Sequence, residues 1–227
     1  DGNMLQDGTW HYSYDLENRL EKMTRKSAST VAGVADRLEF EYDFMGRRIR
    51  KTTYDATVGG NEIVDIAFVW NGWNIVAELN LNASYAVLRS YLWGRDFSVG
   101  GSNAGGAGGL LSVTEGSAVY HPVYDPTGNV TGYVSDNTSG SGTGTIAARY
   151  EYNPYGELQL SSGSVSSFAF GFATQYTDRE TGLVYYGLRY YNPKHGRFVN
   201  RDPIGEAGGL NLYSFVGNNP AMRWDVL

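Results

Sequence analysis

Apolar and polar residues alternate in short runs along this chain, and turn residues separate the runs. His11-Tyr12-Ser13-Tyr14 and Leu38-Glu39-Phe40-Glu41-Tyr42 are examples. A period of two sends successive side chains to opposite faces of a sheet. After such runs comes a polar turn signal. Asp15 precedes Asn18, Asp43 precedes Gly46, Asp125 precedes Gly128, and Asn153 precedes Gly156. Aspartate can cap its own turn, and Gly or Asn tolerates a positive φ. A second strand then leaves, as in Arg47-Arg48-Ile49-Arg50-Lys51-Thr52-Thr53-Tyr54. Each unit therefore reads as a β-hairpin.

The hairpins repeat. Tyr14 to Tyr42 spans 28 positions, and so does Tyr124 to Tyr152. Fixed-period self-similarity is the mark of a repeat architecture. The opening Asp1-Gly2-Asn3 reads as the tail of one more copy, so the chain is expected to be a piece of a longer one. One hairpin cannot bury its apolar face alone, whereas stacked hairpins grow into a continuous sheet.

Between the second and third copies lies a more apolar block. Residues 63–70, 73–81 and 85–93 are expected strands, with Asn71-Gly72 as a strong hairpin-turn signal. The stretches Gly100 to Gly109 and Ser135 to Gly144 are expected loops. The first lacks the Lys-Ser/Thr that a phosphate-cradling loop needs. Helical periodicity is nearly absent, and the short-helix candidates are Pro203 to Ala207 and Leu212 to Gly217.

Composition sharpens the class. The chain has 227 residues with 30 Gly, 18 Tyr and 5 Trp, a mixture of strand and turn formers. The net charge of −6 argues against nucleic acid as a partner. The absence of cysteine excludes disulfides, thiolate catalysis and Cys-ligated zinc. The three histidines, His11, His121 and His195, show no metal-ligand spacing, and no cofactor motif is present. No apolar run approaches the roughly 20 residues of a membrane helix. Serine and histidine occur without a nucleophile-elbow motif.

From Ala169 the chain changes character. Asp178-Arg179-Glu180-Thr181-Gly182-Leu183-Val184-Tyr185-Tyr186 leads to Arg189-Tyr190-Tyr191-Asn192-Pro193 and Gly196-Arg197-Phe198. Then come Arg201-Asp202-Pro203-Ile204-Gly205, Gly208-Gly209-Leu210-Asn211-Leu212-Tyr213 and Asn218-Asn219-Pro220. This block resembles the RHS repeat-associated core, and the Tyr-Asp units resemble the YD repeats of RHS proteins. Related families include bacterial polymorphic toxins, insecticidal toxin-complex components and the teneurins. The resemblance implies an all-β fold. YD-repeat hairpins over residues 1–168 stack into a curved continuous sheet, an arc of a cocoon, and residues 169–227 form an inward-turned core plug. The run from Gly182 to Tyr191 carries large residues on both faces, as expected of a sheet covered on both sides.

The resemblance also implies a function. Such proteins look like hollow shells that enclose a C-terminal toxin cargo, and in many members the core cuts the chain between shell and cargo. The resemblance implies that self-cutting members use two aspartates. Here the first matches Asp202, with Arg201 beside it, and the second would be Asp225. Two close carboxylates share a proton, so one serves as base and the other as acid. Arg201 could bias which of them holds the charge, or orient the scissile strand. The family pattern after the second aspartate, Pro-x-Gly-Leu, is replaced here by Val226-Leu227. Leu227 is then either an end left by cutting or a position just short of the cut. Without the resemblance, Asp202 reads as a turn residue, Asp225 as a solvated strand end and Arg201 as a surface arginine.

Implied partners are the cargo, the remainder of the shell and a secretion-system or toxin-complex component, in a secreted or cell-surface bacterial setting. Open sheet edges also predict edge-strand self-association. The alternatives are a non-catalytic adhesion module that binds glycans through exposed aromatics, and a remnant strip without activity.

Overall fold

The computed structural model describes residues 2–96, 106–136, 144–164, 167–220 and 223. Most of the expected loops at Gly100–Gly109 and Ser135–Gly144, and Asp225 with its neighbours, lie outside the described residues. The fold is all-β, and no α-helix occurs among the described residues. No helix there is long and apolar enough to cross a membrane.

A 12-stranded antiparallel sheet runs as a simple meander in chain order. Its strands are β1 (Trp10–Tyr14), β2 (Leu20–Arg25), β3 (Arg37–Tyr42), β4 (Arg48–Tyr54), β5 (Glu62–Asn71) and β6 (Asn74–Asn80). They continue as β7 (Ala86–Trp93), β8 (Leu110–Glu115), β9 (Ala118–Tyr124), β10 (Val130–Ser135), β11 (Ile146–Tyr152) and β12 (Leu158–Gly163). A second, 4-stranded sheet follows: β13 (Tyr176–Asp178), β14 (Leu183–Tyr185), β15 (Tyr190–Asn192) and β16 (Arg197–Phe198). The segment from Gly182 to Tyr191 is thus two strands rather than one run. Gly187, at φ +75°, turns the chain between them.

The hairpin turns are built alike. In the second, Asp43 Oδ1 accepts from the backbone N–H groups of Met45 and Arg47, and Oδ2 accepts from Arg47 Nε at 2.8 Å. Asp15, Asp125 and Asn153 hold their own turns in the same way. The residue three positions after each, Asn18, Gly46, Gly128 or Gly156, has positive φ. A β-bulge follows each turn. Tyr42 pairs with Arg48 but Glu41 pairs with Arg50, which leaves Ile49 as the extra residue. The bulge resets the alternation, so residues three apart point inward together: Leu20 with Met23, Arg48 with Lys51, and Val130 with Tyr133. A bulge also bends its strand and increases its twist.

Successive hairpins are pinned by the aromatic residue that ends the incoming strand. Tyr42 Oη donates to Leu20 O and Tyr124 Oη to Leu110 O, each at 2.5 Å. Trp70 Nε1 donates to Arg48 O at 2.8 Å, and Trp93 Nε1 to Ile75 O at 2.7 Å. Trp70 follows Tyr42 at the same spacing that separates Tyr42 from Tyr14, so it fills the repeat's tyrosine position in a divergent copy.

The inward face of the long sheet is buried under the second sheet. The link between them enters as Phe168-Ala169-Phe170-Gly171-Phe172. Phe168 stacks on Tyr133 at 4.0 Å, and Phe170 meets Tyr91 and Trp93 edge-on. Tyr176, Leu183, Tyr185 and Tyr190 join the same apolar cluster as Trp10, Leu38 and Phe68. Val184, Tyr186, Tyr191 and Phe198 pack on the other side against Phe172 and Phe215. The small sheet is therefore covered on both faces, as its sequence pattern predicts. The short-helix candidates shrink to single 3-10 turns at Gly205–Gly208 and Val216–Asn218. Gly205, Gly208 and Gly209 crowd the first segment and Gly217 sits in the second, and glycine opposes helix extension.

Candidate functional site

Two arrangements of charged side chains stand out: one where the sheets meet, the other around Asp202. At the first, Arg48 of β4 projects into the core and its Nη1 meets Asp178 Oδ2 of β13 at 2.6 Å. The same Nη1 donates to Tyr190 Oη at 2.9 Å, and the Arg48 backbone N–H donates to Tyr185 Oη at 2.7 Å. Lys51 Nζ lies 3.0 Å from both Asp178 and Glu180. The rings of Phe40, Phe68, Tyr176, Tyr185 and Tyr190 surround the Arg48 guanidinium, with centroids 4.6–5.7 Å from Cζ.

A buried charge needs such a setting, because desolvation alone would cost several kcal/mol. Nε and Nη2 of Arg48 have no hydrogen-bond partner, and the ring faces supply cation–π attraction in its place. Burial pushes the Asp178 carboxyl up, but Arg48 and Lys51 outweigh it and hold Asp178 below the usual carboxylate range. Burial also opposes the charges of Arg48 and Lys51, yet Asp178 and its neighbours keep both above their ordinary values. Burial raises Tyr190 to about 12.

This node fixes the small sheet on the wall. The sequence reading missed it, although a signal was present. Arg48 occupies the post-turn position where other copies place Leu20 and Val130, both fully buried. An arginine at a core position of a repeat needs an acid partner, and Asp178 opens the non-repeat block.

The second arrangement holds Asp202. Its segment is stitched to the first hairpin. Met4 N donates to Val199 O at 2.8 Å, Asn200 Nδ2 to Asn18 O at 3.3 Å, and Arg201 N to Asn3 Oδ1 at 2.9 Å. Asp202 then makes its own turn. Its Oδ1 accepts from Ile204 N at 3.0 Å, and its carbonyl accepts from Gly205 N. Asp202 Oδ2 lies 2.8 Å from Arg189 Nη1, with both side chains largely buried. A cleft of about 450 Å³ opens here, lined by Glu17, Arg19, Phe44, Met45, Leu188 and Arg201 among others.

Of the sequence-predicted residues, Asp202 and Arg201 both line this cleft, while Asp225 lies outside the described residues. Arg201 is exposed and forms no ion pair among the described residues. Arg189, which the sequence reading left unassigned, is the arginine paired with Asp202. Asp15, Asp43 and Asp125 serve as turn caps. No cluster of three or more His, Cys, Asp or Glu side chains that could hold a metal occurs among the described residues.

A hairpin meander whose inner face is covered by a short aromatic sheet is the architecture of a YD-type shell wall. A family model of the teneurin YD-shell matches residues 107–221, just over half of the chain, and the chain belongs to that family. The tRNA3(Ser)-specific nuclease WapA of Bacillus spizizenii is 30% identical over 99% of this chain and 9% of its own length. The double-stranded DNA deaminase toxin A of Burkholderia cenocepacia is 30% identical over 92% of this chain and 15% of its own. Toxin subunit YenC1 of Yersinia entomophaga is 41% identical over 41% of this chain and 10% of its own. The crystal structure of TcdB2-TccC3 superposes with a TM-score of 0.69 at 23% identity, covering 96% of this chain and 10% of that one. The chain thus spans about a tenth of the length of the proteins it matches. The RHS/YD-repeat resemblance and the all-β wall expected from it hold, and the chain has the structural character of a shell segment.

Proposed function

We propose that this chain is a stretch of wall and plug from a shell that encloses a toxin cargo following it in the polypeptide, and that its core cuts the chain between the two. The observation that carries the reading is the burial of the small sheet, on both faces, against the inner side of the hairpin wall. A wall lined this way presents hairpins outward and a plug inward. Enclosure, the remaining shell and a secretion-system or toxin-complex component as partners, and a secreted or cell-surface location belong to the same proposal. Toxin names among the relatives support it.

The cutting step is peptide hydrolysis with an aspartate pair. Asp202, in the cleft, takes a proton from water as the water oxygen bonds to the scissile carbonyl carbon. Asp225, assigned by the family resemblance, gives its proton to the leaving nitrogen as the C–N bond breaks. One water is consumed, and the reaction turns over once. Supporting it is the placement of Asp202 in a cleft, on a segment anchored by backbone hydrogen bonds.

The test is expression of the gene with its natural downstream sequence, followed by a denaturing gel. Two bands are expected, merging into one full-length band when Asp202→Asn is introduced. A single full-length band from the unmutated gene removes the cutting step. Glycan-array binding that survives the same substitution would favour an adhesion module instead.

A further inference from the structure

We infer that the tip of the second hairpin, Phe44 with Met45, is an apolar subsite that seats the strand presented to Asp202. It selects a strand with a bulky apolar side chain close to the bond that is cut. The inference deepens the processing reading above and rests on it. Phe44, Met45 and Leu188 line the same cleft as Asp202. Phe44 is 95% exposed, Met45 is exposed and Leu188 is half-buried. The tip stands directly on Leu188, since a Cβ built at Gly46 would lie 3.0 Å from Leu188 Cδ2. Leu188 is fixed in turn. Its backbone N–H donates to Tyr186 O at 2.8 Å, and its carbonyl accepts from Asn200 Nδ2 at 3.4 Å. Asn200 is buried and lies two residues before Asp202, so the apolar wall and the carboxylate are held by one framework.

The four hairpin tips differ in a way that neither the turn nor the core explains. Their second positions are Leu16, Phe44, Pro126 and Pro154, and all four are exposed. Proline suits that position because its fixed φ matches the turn. Leu16 and Phe44 gain nothing there from the turn or from burial. The two tips that carry them are the two that border the cleft, through Glu17 and Asn18 and through Phe44, Met45 and Gly46. Ile204, beside the lining residue Pro203, is exposed as well. Large apolar side chains gathered in the open around a cleft mark a binding groove. Charge in the cleft is mostly spent. Arg19 is engaged by Asp15 at 2.7 Å and Glu17 at 2.8 Å, and Asp202 by Arg189 at 2.8 Å. Arg201 is left without an ion pair among the described residues. The occupant is the stretch of this polypeptide that is cut. A general base reaches only about 3 Å, or one water further, so the scissile bond must enter this cleft. An extended strand advances about 3.3 Å per residue, so side chains near that bond run over the lining.

The experiment uses the gene with its natural downstream sequence, made in a timed cell-free reaction. Cutting is read as the half-time for the two bands to appear, and mass spectrometry of the shell band maps the cut. Phe44→Ser is expected to slow cutting by about tenfold, the scale for losing apolar contact in a substrate pocket. Phe44→Leu is expected to recover most of the rate. Pro126→Ser, at a tip away from the cleft, should leave the half-time unchanged. Melting of the Phe44 variants in an Asp202→Asn background reports on folding alone and is expected to be unchanged. If Phe44→Ser lowers it, Met45→Ser with Met45→Leu takes its place in the same comparison. Each residue within three positions of the mapped cut is then changed to Ser in turn. One bulky apolar position is expected to slow cutting in the unmutated protein and to add nothing in Phe44→Ser. Cutting at the unmutated rate in Phe44→Ser, no recovery with Leu, or additive effects at every position overturns the subsite while Asp202 stands. An unmutated protein that is not cut, or an Asp202→Asn protein that still is, overturns the processing reading and this inference with it.

Discussion

Arg48 and Asp178 lie 130 positions apart in the chain and meet at 2.6 Å with neither side chain reaching solvent. The pair joins the fourth strand of the wall to the first strand of the plug. Its surroundings decide its worth. The Lys51 ammonium, two tyrosine hydroxyls and a set of ring faces replace the lost water. Removing Arg48 would leave the buried Asp178 carboxylate with Lys51 as its one ionic partner and with an unfilled apolar space beside it. Arg48→Leu is therefore expected to destabilise the protein by about 3–5 kcal/mol, read as a shift in urea midpoint. A loss below about 1 kcal/mol would mean the node does not clamp the sheets.

Acid should loosen the same clamp. Asp178, Asp43, Asp65 and Asp125 all have carboxyl pKa values below the ordinary 3.8. For Asp65 the main cause is the bidentate hydrogen bond from Arg50; for the others, partners outweigh burial. A carboxyl whose folded value is depressed contributes stability that is present above the unfolded value and is lost as pH falls through the folded one. Melting temperature is expected to hold as pH is lowered toward 4 and to drop below it. A flat profile between pH 4 and 2 would contradict the ion pairs.

The tyrosines make the opposite prediction at high pH. Burial raises Tyr150 and Tyr190 to about 12, and raises Tyr42, Tyr91 and Tyr133 further. The neutral form is favoured in the folded state, so stability is fully present below about pH 10, where a free tyrosine ionises, and is lost above it. Absorbance at the phenolate band should rise in two stages, the second coinciding with loss of strand circular dichroism. A single stage near pH 10 with the fold intact would show these rings to be accessible.

The hairpin turns should rank by their chemistry. Asp43→Ala removes an acceptor of two backbone N–H groups and is expected to cost about 1 kcal/mol. Asp43→Asn should cost less, because Asn153 makes the same turn in the fourth copy. Gly46→Ala should cost about 1–2 kcal/mol: φ is +82°, and a Cβ would lie 3.0 Å from Leu188 Cδ2. Equal stabilities across the series by urea unfolding would exclude this role for the turns.

The last strand of the wall predicts association. Every residue of β12 is exposed, including Leu158 and Leu160, and it pairs with β11 alone among the described residues. An open, uncharged edge is a template for another strand. Sedimentation velocity is expected to show concentration-dependent dimers or larger species, reduced by Leu160→Lys. A single monomer boundary at high concentration would rule edge pairing out.

Much of the wall was legible in the sequence because its causes are local. Alternation, Asp-x-x-Gly turns and a constant spacing each act within a few residues, so the hairpins at Tyr14, Tyr42, Tyr124 and Tyr152 could be placed by reading along the chain. The RHS-like block was legible too, as an ordered set of short motifs. The bulge that turns Arg48 inward was not. It depends on which residues face each other across two strands, and strict alternation misassigns it.

By itself, then, the sequence determined an all-β repeat wall closing on a distinct terminal core, since turn chemistry and periodicity are properties of short segments. Only the tertiary structure decided which charges meet. Arg48 finds Asp178, and Asp202 finds Arg189 rather than its neighbour Arg201. An ion pair's strength depends on distance and on the water excluded around it, and folding brings both under control only when remote strands are stacked.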